Sequence, residues 1–149
     1  SENANSEVAN DFNLILFEND EHRGGDRIRL SQFRGDPVVL NFWFPSCPPC
    51  RAEIPDIETS FKRYQNVGVY FLGITNLELD SKKDALDFIS ETGATYTFGI
   101  DVGGSIMRSY GVNGFPSTIF INSEHEIVRS WVGMLDSEKL EEFIQEIVN

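Results

Sequence analysis

Apolar residues occur along this chain in short, nearly unbroken runs. The segment VVLNFWF at Val38–Phe44 is one such run, and Val69–Ile74 and Thr118–Ile121 are two more. Continuous apolar runs of this length indicate strands that are covered on both faces. Ile127–Val132 follows the third run after a polar NSEHE turn. This pair of segments therefore predicts a β-hairpin.

A second hairpin is predicted near the N-terminus. Phe12–Phe17 is apolar, and Ile28–Leu30 has alternating character. The turn-rich stretch NDEHRGGD lies between them. Two short strands separated by glycine and aspartate are typical of an antiparallel pair.

Helical periodicity appears between the apolar runs. Within Pro48–Tyr64 the apolar side chains recur three or four positions apart. Ser81 and Asp84 form a capping-box pattern at the start of a second predicted helix. Ser105–Tyr110 predicts a short helix, and a last one begins after Asp136 or Ser137. Its apolar positions have helical spacing and are Leu140, Phe143, Ile144, Ile147 and Val148.

The order of these elements predicts a single α/β domain over residues 12–149, with a central mixed sheet flanked by helices. Residues 1–11 are polar and acidic, which predicts a flexible segment left by processing. The chain has 149 residues, 24 acidic and 12 basic ones, and a net charge of −12. Such a charge repels phosphate backbones and argues against a nucleic-acid partner. No apolar run reaches the length of a membrane span.

Both cysteines lie in the stretch NFWFPSCPPCRAEIP, at Cys47 and Cys50. Cys47 is predicted at the junction between a buried strand and a helix, where the helix dipole and free N–H groups favour a thiolate. Cys50 follows one helical turn later, within reach of a disulfide. An exposed nucleophilic cysteine with a partner behind it is the arrangement that thiol–disulfide exchange requires.

Three other uses of a Cys-x-x-Cys pair are open. A zinc site needs four ligands, and His22 and His125, each in a polar turn, are the remaining candidates. A purely structural disulfide across so small a loop would remove little chain entropy. Buried, inert thiols are the third option, but prolines in a first helical turn indicate a surface junction.

Together with other segments in the same order along the chain, the cysteine motif resembles that of the thioredoxin superfamily. The resemblance is closer to the extracytoplasmic thiol–disulfide oxidoreductases of the TlpA/ResA type. The segments that carry the resemblance are IRLSQFRG, NFWF, CPPCRAEIP and YGVNGFPST, followed by Val132-Gly133. Together with an F-x-L pattern near Phe12, they place the resemblance over roughly Phe12 to Val148. The resemblance implies a thioredoxin-like fold with an N-terminal β-hairpin and a central β-α insertion near Asn76–Tyr110.

The resemblance also implies specific roles for residues around the cysteine pair. Cys47 would be the nucleophile and Cys50 the resolving cysteine. Pro116 in GFPST would have a cis peptide bond beside Cys47, and the Phe115 backbone would pair with an extended substrate. Trp43, Pro48 and Pro49 are expected to complete the substrate-binding surface.

The chain departs from the wider superfamily at two positions. Asn41 replaces the buried aspartate that moves the proton of the second cysteine in thioredoxin, and Ser46 replaces a tryptophan before the first cysteine. We hypothesise that Glu53, three residues after Cys50 and so on the same helical face, accepts the Cys50 proton instead. The alternative is that Glu53 only complements the helix dipole.

The prolines bear on the direction of electron flow. Pro48 and Pro49 lack N–H groups, which leaves the Cys50 amide as the nearest first-turn donor to the Cys47 sulfur. A nearby carboxylate would also disfavour a thiolate. A less stabilised Cys47 thiolate favours a reductant over an oxidant.

The expected function is therefore thiol–disulfide exchange on protein substrates, with no cofactor or metal beyond the Cys47–Cys50 pair. By resemblance, the substrate would be a protein disulfide such as that of apocytochrome c, and a membrane thiol would donate electrons. The protein would be an extracytoplasmic monomer. A peroxiredoxin-type peroxidase is one alternative, although Phe44 occupies the position of its threonine. A copper carrier is the other, although it would use Cys-x-x-x-Cys with a histidine.

Overall fold

In the computed structural model, residues 7–78 and 80–148 are described. Eight strands form one mixed sheet in the order β1-β8-β7-β4-β5-β6-β2-β3. The strands are β1 (Glu7–Val8), β2 (Asn13–Leu16), β3 (Arg27–Arg29), β4 (Val38–Phe42), β5 (Tyr70–Thr75), β6 (Thr97–Ile100), β7 (Ser117–Ile121) and β8 (Glu126–Val132). The helices are α1 (Pro48–Tyr64), α2 (Lys82–Thr92), α3 (Ser105–Ser109) and α4 (Ser137–Gln145).

The three central strands are the ones that their apolar runs predict. β4 pairs in parallel with β5 and antiparallel with β7, and all five residues of β4 and of β7 are buried. Successive side chains of β4 point to opposite faces. Val39 packs into the core beneath α1, α2 and α4, whereas Leu40 and Phe42 pack into the second core, which includes Ile106 of α3. The sheet therefore separates two apolar layers.

Both predicted hairpins are confirmed. β2 pairs with β3, and β7 pairs with β8 with a register irregularity between Phe120 and Ile121. The insertion over Asn76–Tyr110 contains α2, β6 and α3, and β6 extends the sheet in parallel beside β5. This is the α/β thioredoxin-like fold expected from the resemblance.

The helix starts follow their capping residues. Ser81 Oγ accepts the N–H of Asp84, and the Asp84 carboxylate accepts the N–H of Ser81, so the predicted capping box is present. Asp136, rather than Ser137, caps α4 through the N–H of Lys139 at 2.8 Å. α4 ends at Gln145 and not at Val148, although Ile147 beyond it remains buried.

The N-terminal boundary differs from the prediction. Glu7–Val8 pairs with β8, and the Ala9 N–H donates to the His125 carbonyl at 2.8 Å. Asn10 and Asp11 also bond to the domain, at Ser109 and Ser31. The prediction of a flexible segment through residue 11 is thus wrong for residues 7–11, because tertiary partners pair this polar stretch. Its first six residues lie outside the described part of the chain.

Candidate active site

Cys47 is the N-cap of α1, directly after the turn that leaves β4. Its Sγ accepts the N–H of Cys50 at 3.3 Å, the donor that the two intervening prolines leave available. Cys47 and Cys50 form a disulfide, with their Cα atoms 5.3 Å apart. The strand-to-helix junction therefore holds the pair as the sequence predicts.

Both cysteines are buried in the disulfide form, and Cys47 keeps slightly more exposed surface than Cys50. Cys47 is 3% exposed and Cys50 is 0% exposed. The expectation of a well-exposed nucleophile is wrong for this disulfide state, because Cys47 lies largely within the core cluster beneath α1. Pro48 and Pro49 are exposed beside it, where they can contact a docked polypeptide.

The peptide bond between Phe115 and Pro116 is cis, as the resemblance implies. Ser117, the next residue, pairs with Phe42 at the end of β4, which places this loop beside the turn into Cys47. The Phe115 ring contacts the Phe44 ring edge-on, with centroids 5.1 Å apart. In the described residues the Phe115 backbone makes no hydrogen bond to another backbone group. Pairing of its N–H and C=O with an extended substrate stays a prediction from the resemblance.

Trp43 does not belong to the substrate-binding surface. It is 0% exposed, stacks on Phe88 of α2 and meets Phe98 of β6 edge-on. A side chain without exposed area cannot contact a docked protein. The assignment of Trp43 to substrate binding is therefore corrected to a core role behind the active-site turn.

Glu53 is 1% exposed and lies on the buried face of α1. Its Oε1 accepts the Asn41 Nδ2 amide at 2.7 Å, and its Oε2 accepts the Leu135 N–H at 3.0 Å. Burial raises the pKa of Glu53 above its ordinary value, and the two hydrogen bonds offset only part of that effect. A raised pKa makes this carboxyl fit to take up and return a proton, as a general base or acid must.

Asn41 is the partner of Glu53 that sequence reasoning missed. Its Nδ2 also lies 3.2 Å from Thr118 Oγ1, whereas its Oδ1 is buried without a hydrogen-bond partner. The position was noted as a departure from the wider superfamily, but its contact with Glu53 depends on the packing of α1 against β4. Thr118 is the last residue of the GFPST motif, and the motif is the sequence signal that could have indicated Thr118 as a residue near the site.

The candidate ligands of the zinc alternative do not form a metal-binding group in the described residues. His125 is buried in the turn between β7 and β8, with Nε2 3.0 Å from the Phe33 carbonyl oxygen. The described residues contain no group of three or more histidine, cysteine, aspartate or glutamate side chains arranged to hold a metal ion. Among them there is also no helix long and apolar enough to cross a membrane.

Comparison with known proteins identifies the family of this chain. The AhpC/TSA family profile matches residues 6–130. The thiol–disulfide oxidoreductase ResA of Halalkalibacterium halodurans is 32% identical over 121 residues, which cover 81% of this chain and 68% of that protein. ResA of Bacillus subtilis is 28% identical over 139 residues, or 93% of this chain and 74% of that protein.

A solved structure from Chlorobium tepidum, described as a thiol:disulfide interchange protein DsbE, has a TM-score of 0.82 and 28% identity to this chain. The alignment covers 97% of each chain. StoA of Bacillus subtilis, with a TM-score of 0.76 and 23% identity, covers 91% of this chain and 97% of its own and shows the shared fold.

Proposed function

Because the chain belongs to the AhpC/TSA family and is a thiol–disulfide oxidoreductase of the ResA and DsbE type, we propose that its Cys47–Cys50 pair reduces disulfides in protein substrates. The observation that carries this proposal is the asymmetry of the pair. Cys47 lies at the start of a helix beside the cis-proline loop, and Cys50 is fully enclosed behind it. Cys47 is therefore the proposed point of attack on the substrate, and Cys50 the proposed resolving cysteine.

The reaction begins from the dithiol. The Cys47 thiolate attacks one sulfur of the substrate disulfide, and the other substrate sulfur leaves as a thiolate that takes up a proton. Cys50 then loses its proton and attacks Cys47 Sγ, which releases the second substrate thiol and forms the Cys47–Cys50 disulfide. Two electrons pass to the substrate. A dithiol donor then reduces the pair for the next cycle.

Glu53 is the proposed acceptor of the Cys50 proton. It follows Cys50 by one helical turn, is buried with it, and has a raised pKa that favours proton uptake. Phe115, Pro48 and Pro49 are proposed to hold the substrate backbone near Cys47, since the first offers unpaired backbone groups and the two exposed prolines an apolar rim. Pro116 is buried, and its proposed part is to fix the orientation of the Phe115 backbone through the cis bond.

The proposed partners follow the TlpA/ResA resemblance. The substrate would be a protein disulfide, such as the Cys-x-x-Cys-His disulfide of apocytochrome c, and the donor would be a membrane thiol protein outside the cytoplasm. A net charge of −12 argues against nucleic acid. We expect the protein to act as a monomer.

Stopped-flow reduction of a disulfide-linked fluorogenic peptide by the pre-reduced protein tests the reaction. We expect Cys47→Ser to abolish it and Cys50→Ser to stop at the mixed disulfide. Glu53→Gln should slow the resolving step by about tenfold or more while leaving the first attack unchanged. The exposed Glu124→Gln variant is the matched control.

Three outcomes would contradict parts of the proposal. Equal resolution rates in Glu53→Gln and the wild type across neutral and alkaline pH would remove Glu53 from the mechanism. The reduction potential of the Cys47–Cys50 pair can be measured by equilibration with a glutathione buffer. A value close to that of disulfide-forming oxidants would reverse the proposed direction of electron flow. Rapid peroxide consumption by the reduced protein would instead favour the peroxidase alternative.

A further inference from the structure

A carboxylate from a distant loop contacts the residue that precedes the nucleophile. Asp80, in the loop between β5 and α2, accepts the Ser46 hydroxyl at 3.0 Å and the Ser46 N–H at 3.4 Å, both through Oδ2. Ser46 is exposed and adjoins Cys47 in the chain. This contact fixes a negative charge beside the turn that presents the nucleophilic sulfur.

Asp80 has no evident part in starting either neighbouring helix. Ser81 is the N-cap of α2, and Asp84 completes its capping box. Cys47, not Ser46, is the N-cap of α1. Within the described part of the chain, the side-chain hydrogen bonds of Asp80 go to Ser46 alone. A purely local structural role therefore does not account for its position.

The charge of Asp80 is also not neutralised by an ion pair among the described residues. Arg51, on the first turns of α1, pairs with Glu91 at 3.1 Å. Lys83, near the start of α2, pairs with Asp87 at 2.7 Å. Along α1, the charged groups that follow Cys47 are Arg51 and Glu53, in addition to the positive end of the helix itself. Beside Asp80 in the chain, the first residues of α2 add Lys82, Lys83 and Asp84.

We propose that Asp80 is a positioning residue for Cys47, which holds the preceding turn through Ser46 and disfavours the Cys47 thiolate. A negative charge close to a thiol raises the free energy of its thiolate, so the thiol keeps its proton to higher pH. The reduced form then gains less stabilisation from ionisation of Cys47, which makes the pair a stronger reductant. This inference rests on the proposed redox role of the pair and names a residue outside the Cys-x-x-Cys motif that tunes it.

The test separates the charge of Asp80 from its hydrogen bonds. Asp80→Asn removes the charge and keeps an oxygen acceptor for Ser46, whereas Asp80→Ala removes both. Asp20→Asn removes an exposed carboxylate from the loop between β2 and β3 and serves as the control. In each reduced protein, the Cys47 pKa is read from the pH dependence of thiolate absorbance and of iodoacetamide alkylation. The equilibrium with a glutathione or dithiothreitol buffer is measured in parallel.

We expect both Asp80 variants to lower the Cys47 pKa by roughly half a pH unit or more, and to make the pair less reducing. Asp20→Asn should match the wild type. An unchanged pKa in Asp80→Asn would overturn the proposal. A lowered pKa in Asp80→Ala alone would also overturn it, because loss of the tether and not of the charge would then be responsible.

These measurements remain informative if the proposed function fails. The thiol pKa and the equilibrium with small thiols depend only on the pair and its surroundings. An oxidising potential in the wild type would contradict the proposed direction of electron flow, yet a shift between wild type and Asp80→Asn would still support the role of Asp80. If the wild type is reducing and Asp80→Asn shifts neither the Cys47 pKa nor the potential, the proposed function stands and the proposed role of Asp80 is wrong.

Discussion

The Asn41 amide donates a hydrogen bond to the buried Glu53 carboxyl and so lowers the pKa that burial raises. The Asn41 side chain donates to both Glu53 and Thr118, and the Glu53 carboxyl is 1% exposed. Because burial raises the Glu53 pKa, folding takes up a proton in the pH range between its unfolded and folded values. The native state therefore loses the stability due to this group as pH rises through that range. The Asn41 amide limits the loss by donating to the carboxylate.

Replacing Asn41 with aspartate should destabilise the protein strongly near neutral pH. Asn41→Asp substitutes an acceptor for the donor that now lies 2.7 Å from Glu53, so two buried carboxyls would share the site. We expect a loss of about 3 kcal/mol in the free energy of unfolding near neutral pH. The loss should shrink in mild acid, as the pair takes up protons. Urea unfolding of the disulfide form at both pH values measures it.

Asn113→Asp is the control for that comparison, since Asn113 is exposed. It should change the free energy of unfolding little at either pH. A destabilisation of Asn41→Asp that does not depend on pH would point to a packing defect and contradict the shared-proton account.

At the residue level, the sequence was informative where chemistry is local. The Cys47–Cys50 spacing, the Cys50 amide as donor to Cys47 and the helical face of Glu53 all follow from positions a few residues apart. The cis bond at Pro116 was predicted from the family resemblance alone. Contacts that join remote positions could not be predicted: Ser46 meets Asp80 over 34 positions, and Trp43 is buried by aromatic rings of α2 and β6.

At the level of elements, β5 carries a glycine because two aromatic rings cover it. A Cβ on Gly73 would lie 2.6 Å from Phe98 Cδ1 and 3.2 Å from Trp43 Nε1. Gly73→Ala should therefore displace Trp43 or Phe98 behind the active-site turn. We expect it to lower the free energy of unfolding by about 1–3 kcal/mol, as overpacking does. Thermal or urea unfolding of the disulfide form measures the change.

Gly24→Ala provides the matched control, because its Cβ would meet no atom closer than 3.9 Å. That variant should unfold like the wild type. Equal stability of the two variants would mean that the rings over β5 can move aside freely, against the packing described above.

Elements with strong internal patterns were predictable, and those that depend on partners were not. The bounds of α1 agree with its predicted range, since both its start at the prolines and its apolar spacing are local. β1 has two residues, both exposed, and exists through pairing with β8. A strand of two exposed residues has no recognisable pattern of apolar positions. The predicted start of the domain therefore lay after β1.

At the level of the whole molecule, the excess of acidic residues should govern which substrates arrive quickly. A net charge of −12 attracts basic polypeptides and repels acidic ones over about one Debye length. We expect kcat/KM for a lysine-flanked disulfide peptide to fall severalfold as salt rises through the physiological range. For a glutamate-flanked peptide of equal length, kcat/KM should rise.

A glutamine-flanked peptide of the same length provides the neutral reference, with little dependence on salt. Parallel salt responses of the basic and acidic peptides would exclude long-range steering and leave only contacts at the site to select substrates.

The enclosure of Cys50 has a practical consequence for finding partners. A sulfur without exposed surface cannot be captured by an outside thiol, so every covalent adduct of this protein should form on Cys47. The Cys50→Ser variant keeps Cys47 as its one reactive cysteine and should therefore trap substrates as stable mixed disulfides. Proteins that migrate as covalent complexes with this variant on a non-reducing gel, and that dithiothreitol releases, would be the substrates of this enzyme. Their identification needs no prior assumption about the substrate.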